Sequence, residues 1–249
     1  MSVTKPQRAP QPTTHAIVLA AGNGDRFRNG SGKLLHPFLG RPLLLCTIEA
    51  AHDAGIQQIT IVLGHDAERV RALVNEGAPS GVAISYVFNP EWQLENGVSV
   101  LAARAMVNGG HVALLMGDHV FQPDVLRGLR QLPLAADESV LAIDTHTTDP
   151  MLVAEATKVL RDGSRIISIG KEIEDYDALD TGMFVCAPNL FEALETARAA
   201  GDTTLSGGIR VLAARGLMRG HDIGDAGWRD IDTVDDLQEA ESAMSILSS

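Results

Sequence analysis

Seven residues in one short stretch could do phosphate chemistry. After the apolar run Ala16 to Ala21 come glycines at Gly22, Gly24, Gly30 and Gly32, arginines at Arg26 and Arg28, and a lysine at Lys33. Glycines let backbone N–H groups approach anionic oxygens closely, and the cations supply charge that a backbone nest lacks. Two further places carry acids in unusual company. Asp118 follows the apolar HVALLMG, where a carboxylate is costly unless it pairs or binds a cation, and Asp230 and Asp232 follow Trp228. Hard oxygen donors of this kind suit Mg²⁺, which keeps several waters and bridges carboxylates to phosphate.

The residues alone leave open which phosphate is bound and what happens to it; the resemblance that their segments bear to a known family implies attack by a phosphate or phosphonate oxygen on the α-phosphorus of a nucleoside triphosphate, with release of pyrophosphate. Both reactants are anions, so preorganised cations at the α-phosphate carry most of the catalysis. His119 is not required as a base, because the nucleophile is already ionised, and it is read as a hydrogen-bonding residue behind the site. A dinucleotide fingerprint is the rival reading of the glycine loop. Gly22-x-Gly24 is present, but Phe27 stands where that motif needs a small residue.

These residues must be positioned by an alternation of strands and helices. AIVLAA, QQITIVLG, VAISYVFN and HVALLMGDHV read as buried parallel strands. RPLLLCTIEAAHDAG, HDAERVRALVNEG and the stretch from Glu95 to Val107 read as the helices between them. The pattern predicts a doubly wound, mostly parallel sheet of the Rossmann-like type with right-handed crossovers. Ligands on such sheets lie at the carboxyl ends of the strands, which brings the loop after Ala21, the loop Asn89 to Ser99 and Asp118 to one edge. After a helix near Gln122 to Arg130, the segments SVLAIDT, EATKVLRD, SRIISIGK and DTGMFVCA read as short antiparallel or mixed strands forming a small insertion. Helices over 188–199 and 205–215 and a last short strand pair follow. Val234 to Ile246 is an amphipathic helix, for which Asp232 is a possible N-cap.

Several of these segments together resemble the signature set of the GT-A-like (MobA-like) nucleotidyltransferases: LAAGNGDRF, GKLL, GDHVF and GWRDIDTVDDL, in order. Within that superfamily, NPEWQLENGVSVLAAR, LLMGDHVF, EATKV, IGKEIEDYDALDTGMF and WRDIDTVDDL look like segments of the CTP:inositol-1-phosphate cytidylyltransferases and the related phosphocholine and phosphonate cytidylyltransferases. The resemblance implies that the backbone of Leu19, Ala20, Ala21, Gly22, Asn23 and Gly24 holds the nucleotide, with Arg26 and Lys33 on its phosphates. It implies that Asn96, Gly97, Ser99 and Gly117 complete the nucleotide site, and that Asp118 and Asp230 hold the metal. Glu155, Lys171, Asp180, Thr181 and Gly182 lie on segments resembling the acceptor site, Lys171 for the acceptor phosphate and Asp180 for a hydroxyl. The family usually places proline directly before the lysine. Gly32 stands there instead and makes that loop more flexible.

What the resemblance implies is Mg²⁺-dependent transfer of CMP from CTP to a small phosphorylated or phosphonylated alcohol, inositol 1-phosphate first. A non-catalytic nucleotide-binding regulator and a dehydrogenase are the readings from other classes. The inositol enzyme is often fused to a membrane-bound alcohol phosphotransferase. No apolar run here reaches the roughly 18 residues of a span, so that condensation is expected in another protein.

Composition fits this reading. With 249 residues, 45% hydrophobic and 21% charged, the chain is expected to form a tail over residues 1–14 and a single domain over 15–249, with the acceptor region at about 145–225. Thirty-two acids against twenty basic residues give a net charge of −12, which argues against nucleic acid and anionic membranes as partners. Cys46 and Cys186 lie in apolar segments without metal spacing, as buried free thiols do. The N-terminus lacks a signal-peptide core, so a cytoplasmic protein, homodimeric as its family often is, is expected.

Overall fold

A computed structural model describes residues 12–24, 27 and 32–247. Most of the expected tail therefore lies outside the described residues, as does Arg26.

The first half alternates as its apolar pattern predicts. β1 (His15–Ala20) is followed by a two-residue hairpin, β2 (Pro37–Phe38) and β3 (Arg41–Pro42), then α1 (Leu43–Asp53), β4 (Gln58–Leu63), α2 (Ala67–Gly77) and β5 (Ala83–Phe88). Next come α3 (Asn96–Ala102), β6 (Val112–Met116), β7 (His119–Phe121) and α4 (Pro123–Leu129). The second half comprises β8 (Ser139–Asp144), α5 (Pro150–Glu155), β9 (Lys158–Asp162), β10 (Arg165–Gly170) and β11 (Ala178–Cys186). It ends with α6 (Asn189–Ala199), α7 (Leu205–Ala214), β12 (Met218–Asp222), β13 (Trp228–Asp230) and α8 (Val234–Leu247).

Nine strands form one mixed sheet in the order β5-β4-β1-β6-β11-β8-β12-β10-β9. β5, β4, β1 and β6 are mutually parallel, and β11 runs antiparallel to both β6 and β8. The strands expected as an insertion thus continue the main sheet, and β11 lies in its middle. Alternation along β1 sorts side chains to two faces. Val18 packs with Leu44, Ile48 and Leu126 beneath α1 and α4, whereas Ile17 packs with Leu190, Leu194 and Ile209 beneath α6 and α7. Each such fully buried aliphatic side chain contributes about 1.5–3 kcal/mol.

Three expectations are corrected in detail. HVALLMGDHV is not one strand: the chain leaves the sheet at Gly117–Asp118, and among the described residues β7 pairs only with β13, placing His119 opposite Asp230. The apolar run stops at this turn and resumes beyond it, because Val120 and Phe121 are buried in separate clusters. The helix expected over Glu95 to Val107 ends at Ala102 and gives way to a 3₁₀ turn at Arg104–Met106. Gly97 and the β-branched Val98 and Val100 give it little intrinsic helicity. Glu155 ends a helix instead of opening a strand. Asp149 caps α5 by accepting from the Met151 and Leu152 N–H groups, and Pro150 takes the first helical position.

Candidate active site

The site is built where β1 and β6 end side by side. Gly117 N–H donates to Leu19 O at 2.9 Å, so the chain turns out of the sheet beside the glycine loop. The buried hydroxyl of Thr47 on α1 donates to His119 O at 2.9 Å and fixes the turn that carries Asp118. Lys33 opens a one-turn 3₁₀ helix and is itself buried, only 8% exposed. Its ammonium lies 2.6 Å from Asp118 Oδ2 and 2.7 Å from Asp232 Oδ1.

Burial alone would lower the lysine pKa, but Asp118, Asp232 and Asp230 together raise it above its ordinary value. For Asp118, burial pushes the other way from Lys33 and His119, and the cations win, holding its carboxyl below the usual range. Gly32, just before the lysine, has φ 80°, which proline at about −65° cannot adopt. Gly32→Pro, which restores the residue usual in the family, should therefore lower Tm by about 4 °C or more, and by more than Gly32→Ala does. An unchanged melting curve would show that the loop adapts.

The β7–β13 pair supplies the rest of the cluster. His119 Nε2 lies 3.3 Å from Asp230 Oδ1 and 3.8 Å from Asp118 Oδ1, and Nδ1 donates to Thr181 O at 2.9 Å. The ring packs against Gly182, whose φ of 74° and missing side chain both matter. A Cβ there would run into the imidazole. Burial opposes protonation of His119, but Asp230, Asp118 and the Thr181 carbonyl raise its pKa to about 9. Asp118, Asp230 and Asp232 thus gather around Lys33 and His119. Asp230 Oδ1 is buried and accepts no hydrogen bond; its 3.3 Å approach to His119 is an ion pair without hydrogen-bonding angles.

Two adjoining clefts meet at this cluster. The smaller, about 280 Å³, is lined by Ala20, Asn23, Gly24 and Lys33, and the larger, about 370 Å³, by Ala21, Asn96, Ser99, Glu155, Lys171, Asp180 and Asp230. Leu19, Gly22, Asp118 and Asp232 belong to both. Gly182 faces the larger one.

Three predicted residues sit behind the clefts. Gly97 is buried in the first turn of α3 and Gly117 in the β6 turn, while the Thr181 hydroxyl donates to Ala142 O at 2.8 Å. Asn96 and Ser99 are partly committed as well: Asn96 Oδ1 accepts from Leu205 N–H, and Ser99 Oγ accepts from the Asn89 amide. Burial pushes the Asp180 carboxyl up to about 6, although it accepts from Gly182 N–H at 2.8 Å. Phe27, where a dinucleotide motif needs a small residue, is buried with Phe38, Leu43 and Val120 beneath α8.

Asp232, a possible N-cap of α8 from the sequence, does not cap it. The cap of α8 is Thr233, whose hydroxyl accepts from Asp236 N–H, while the Asp236 carboxylate accepts from the Thr233 and Asp232 N–H groups. This reciprocal capping box frees Asp232 for Lys33, and Thr233-x-x-Asp236 is its readable signal. His119 and Arg229 also face the larger cleft. Cys46 is half-buried and Cys186 fully buried, both free.

A glycine loop, a carboxylate-clamped lysine and paired acids at the carboxyl edge of a doubly wound sheet define a nucleotide-handling transferase site. Residues 16–214 match the MobA-like NTP transferase domain, and the chain belongs to that family. It is 34% identical over 242 residues to the bifunctional IPC transferase and DIPP synthase of Rubrobacter xylanophilus, covering 92% of this chain and 51% of that protein. The Aquifex aeolicus protein of the same name is 31% identical over 235 residues, with 92% and 51% covered. The chain spans about half the length of these curated relatives. Among solved structures, the inositol-1-phosphate CTP transferase from T. maritima superposes with a TM-score of 0.82 at 26% identity, covering 95% of this chain and 96% of that one. A UDP-glucose pyrophosphorylase complexed with UDP-glucose shares the fold, with a TM-score of 0.79 at 18% identity over 94% and 98% of the two chains. No helix among the described residues is long and apolar enough to cross a membrane.

Proposed function

We propose that the protein is a Mg²⁺-dependent cytidylyltransferase that transfers CMP from CTP to inositol 1-phosphate, giving CDP-inositol and pyrophosphate. The observation that carries this reading is Lys33, buried and clamped by Asp118 and Asp232 at the junction of the two clefts. The names of the IPC transferase relatives and of the T. maritima CTP transferase supply the nucleotide and the acceptor.

Lys33 has three N–H donors. Two lie against carboxylates, and the third suits an oxygen of the nucleotide phosphates above the glycine loop. Because its charge is fixed by three acids, it cannot serve as a proton carrier, and its task is to stabilise charge on the phosphoryl group in transfer. The acceptor's phosphate oxygen forms the new bond to the α-phosphorus, the bond to the bridging oxygen breaks, and pyrophosphate leaves with that electron pair. Asp180 and Glu155 in the larger cleft suit acceptor hydroxyls, and Asn96 and Ser99 the cytosine.

The residues fit a divalent ion. Asp230 Oδ1 is buried without a hydrogen bond, and ligand atoms of Asp118, His119 and Asp230 all lie within 4.8 Å of one another. Oxygen donors suit Mg²⁺, so Asp118 and Asp230 would hold it while His119, whose Nδ1 donates to Thr181 O, stays behind them. Bound there, the ion would draw charge from the α-phosphate oxygens. Phosphocholine is the second reading, favoured by Trp92 sharing the larger cleft with carboxylates, as a cationic headgroup requires.

A pyrophosphate-release assay crossing CTP, UTP, ATP and GTP with inositol 1-phosphate, phosphocholine, glycerol phosphate, glucose 1-phosphate and a hydroxyalkylphosphonate tests this. CTP with inositol 1-phosphate should exceed every other pair by about tenfold or more, a difference of about 1.4 kcal/mol in barrier. Best turnover with UTP and glucose 1-phosphate, or thermal stabilisation by NADH and none by CTP-Mg²⁺, would overturn it.

A further inference from the structure

The larger cleft carries a charge imbalance. Nine carboxylate side chains line it, and among the described residues Lys171 and Arg229 are its fixed cations. Two anionic substrates nonetheless have to meet there on the reading above. Lys171 is exposed just past the end of β10, and its carbonyl holds the Lys158 ammonium at 3.0 Å. Arg229 is placed quite differently. It is the central residue of β13, paired with Val120 on β7, so its backbone is fixed between Trp228 and Asp230. Trp228 is locked in turn by its indole N–H, which donates to the buried Asp144 carboxylate at 2.9 Å.

The guanidinium itself is aimed and only partly used. Nη1 donates to Trp228 O at 3.0 Å, whereas Nη2 stops 3.9 Å from Asp149 Oδ2, beyond hydrogen-bond distance. The side chain remains 32% exposed, half-shielded but open to the cleft. A guanidinium has five donors in a planar fork that matches two phosphate oxygens at once.

We infer that Arg229 grips the phosphate of the acceptor and holds its attacking oxygen beside Asp230. The inference rests on the nucleotidyl-transfer reading, and adds to it the residue that recognises the acceptor's anionic end. In the carboxylate-lined cleft this fork, with the exposed Lys171, offsets the repulsion that would otherwise exclude a phosphorylated acceptor, and Asp180 and Glu155 suit its hydroxyls. Placement next to Asp230 sets where the nucleophile stands relative to the nucleotide phosphates.

The test uses Arg229→Gln, Arg229→Lys and Asp149→Asn, assayed with whichever phosphorylated acceptor the wild-type enzyme uses. Wild-type use of inositol 1-phosphate decides the functional reading; the variants decide the role of Arg229. Arg229→Gln should raise the acceptor KM about 10- to 100-fold while the KM for CTP stays within about twofold. Inorganic phosphate, as a competitive inhibitor against the acceptor, should weaken in the same proportion, and Arg229→Lys should recover part of both losses. Asp149→Asn keeps the cap of α5 but removes the charge, and should leave both values near wild type. An unchanged acceptor KM would overturn the inference. So would a raised KM with an unmoved phosphate inhibition constant, or an Asp149→Asn variant that reproduces Arg229→Gln, which would make Arg229 a prop for α5. If no acceptor supports turnover, calorimetric binding of inorganic phosphate to the CTP-loaded protein takes its place, and equal binding by wild type and Arg229→Gln overturns it.

Discussion

Lys33→Met should lower kcat for pyrophosphate release by about 10³-fold, in the range seen when one preorganised charge donor is removed from a transition state. Methionine matches the length of the aliphatic stem in this buried position and removes only the ammonium. A purely structural ion triplet predicts something else: a loss of melting temperature with activity following folded fraction. The two are separable because the role proposed for the charge in transfer is distinct from its pairing in the folded protein. In the folded protein it neutralises carboxylates at 2.6 and 2.7 Å, so its loss removes the cation that Asp118 and Asp232 share.

The sign of the pH effect follows from Asp118. Its folded pKa lies below the ordinary carboxylate value, so its ionised form contributes stability above about pH 4, lost as pH falls through the depressed folded value. Without Lys33 the depression shrinks, and Lys33→Met should lose more stability at pH 7 than at pH 4. Circular dichroism and melting curves at both pH values, beside kcat, check this. A folded variant with near-normal pyrophosphate release would show that the lysine only anchors the acids.

The parts of this site that could be read from the chain are those whose cause is local. An apolar run ending in glycines marks the end of β1, and the clash between a carboxylate and its apolar flank marks Asp118. The doubly wound half of the sheet was legible for the same reason, since each β-α unit carries its own periodicity. What escaped was set by partners distant in sequence. Asp232 meets a lysine 199 residues away. β11 enters between β6 and β8 although β9 and β10 precede it in the chain, because its buried residues suit a central strand wherever it docks. His119 and Arg229 enter the site through the register of β7 on β13, two three-residue strands too short to show a period. Two local signals, Asp149-Pro150 and Thr233-x-x-Asp236, were readable; the second separates Asp232 from the helix it precedes.

That separation leads to the second large effect, which divides the three acids by task. Asp118→Asn and Asp230→Asn should each raise the Mg²⁺ concentration for half-maximal rate by about tenfold or more and lower kcat by about 10²- to 10³-fold, because on the proposed reading each removes a hard ligand charge. Asp232→Asn should lower kcat by less, about tenfold, and leave the Mg²⁺ dependence alone. Its carboxylate touches the lysine and lies outside the group formed by Asp118, His119 and Asp230. Calorimetric titration with Mn²⁺ gives the same division without turnover: weaker binding in the first two variants and near-normal binding in the third. Equal weakening in all three would make Asp232 a metal ligand, with Lys33 held by ion-bound acids. Unchanged binding in Asp230→Asn would mean that its buried, unbonded oxygen is answered by His119 alone, and that the metal pair must be sought elsewhere around Asp118.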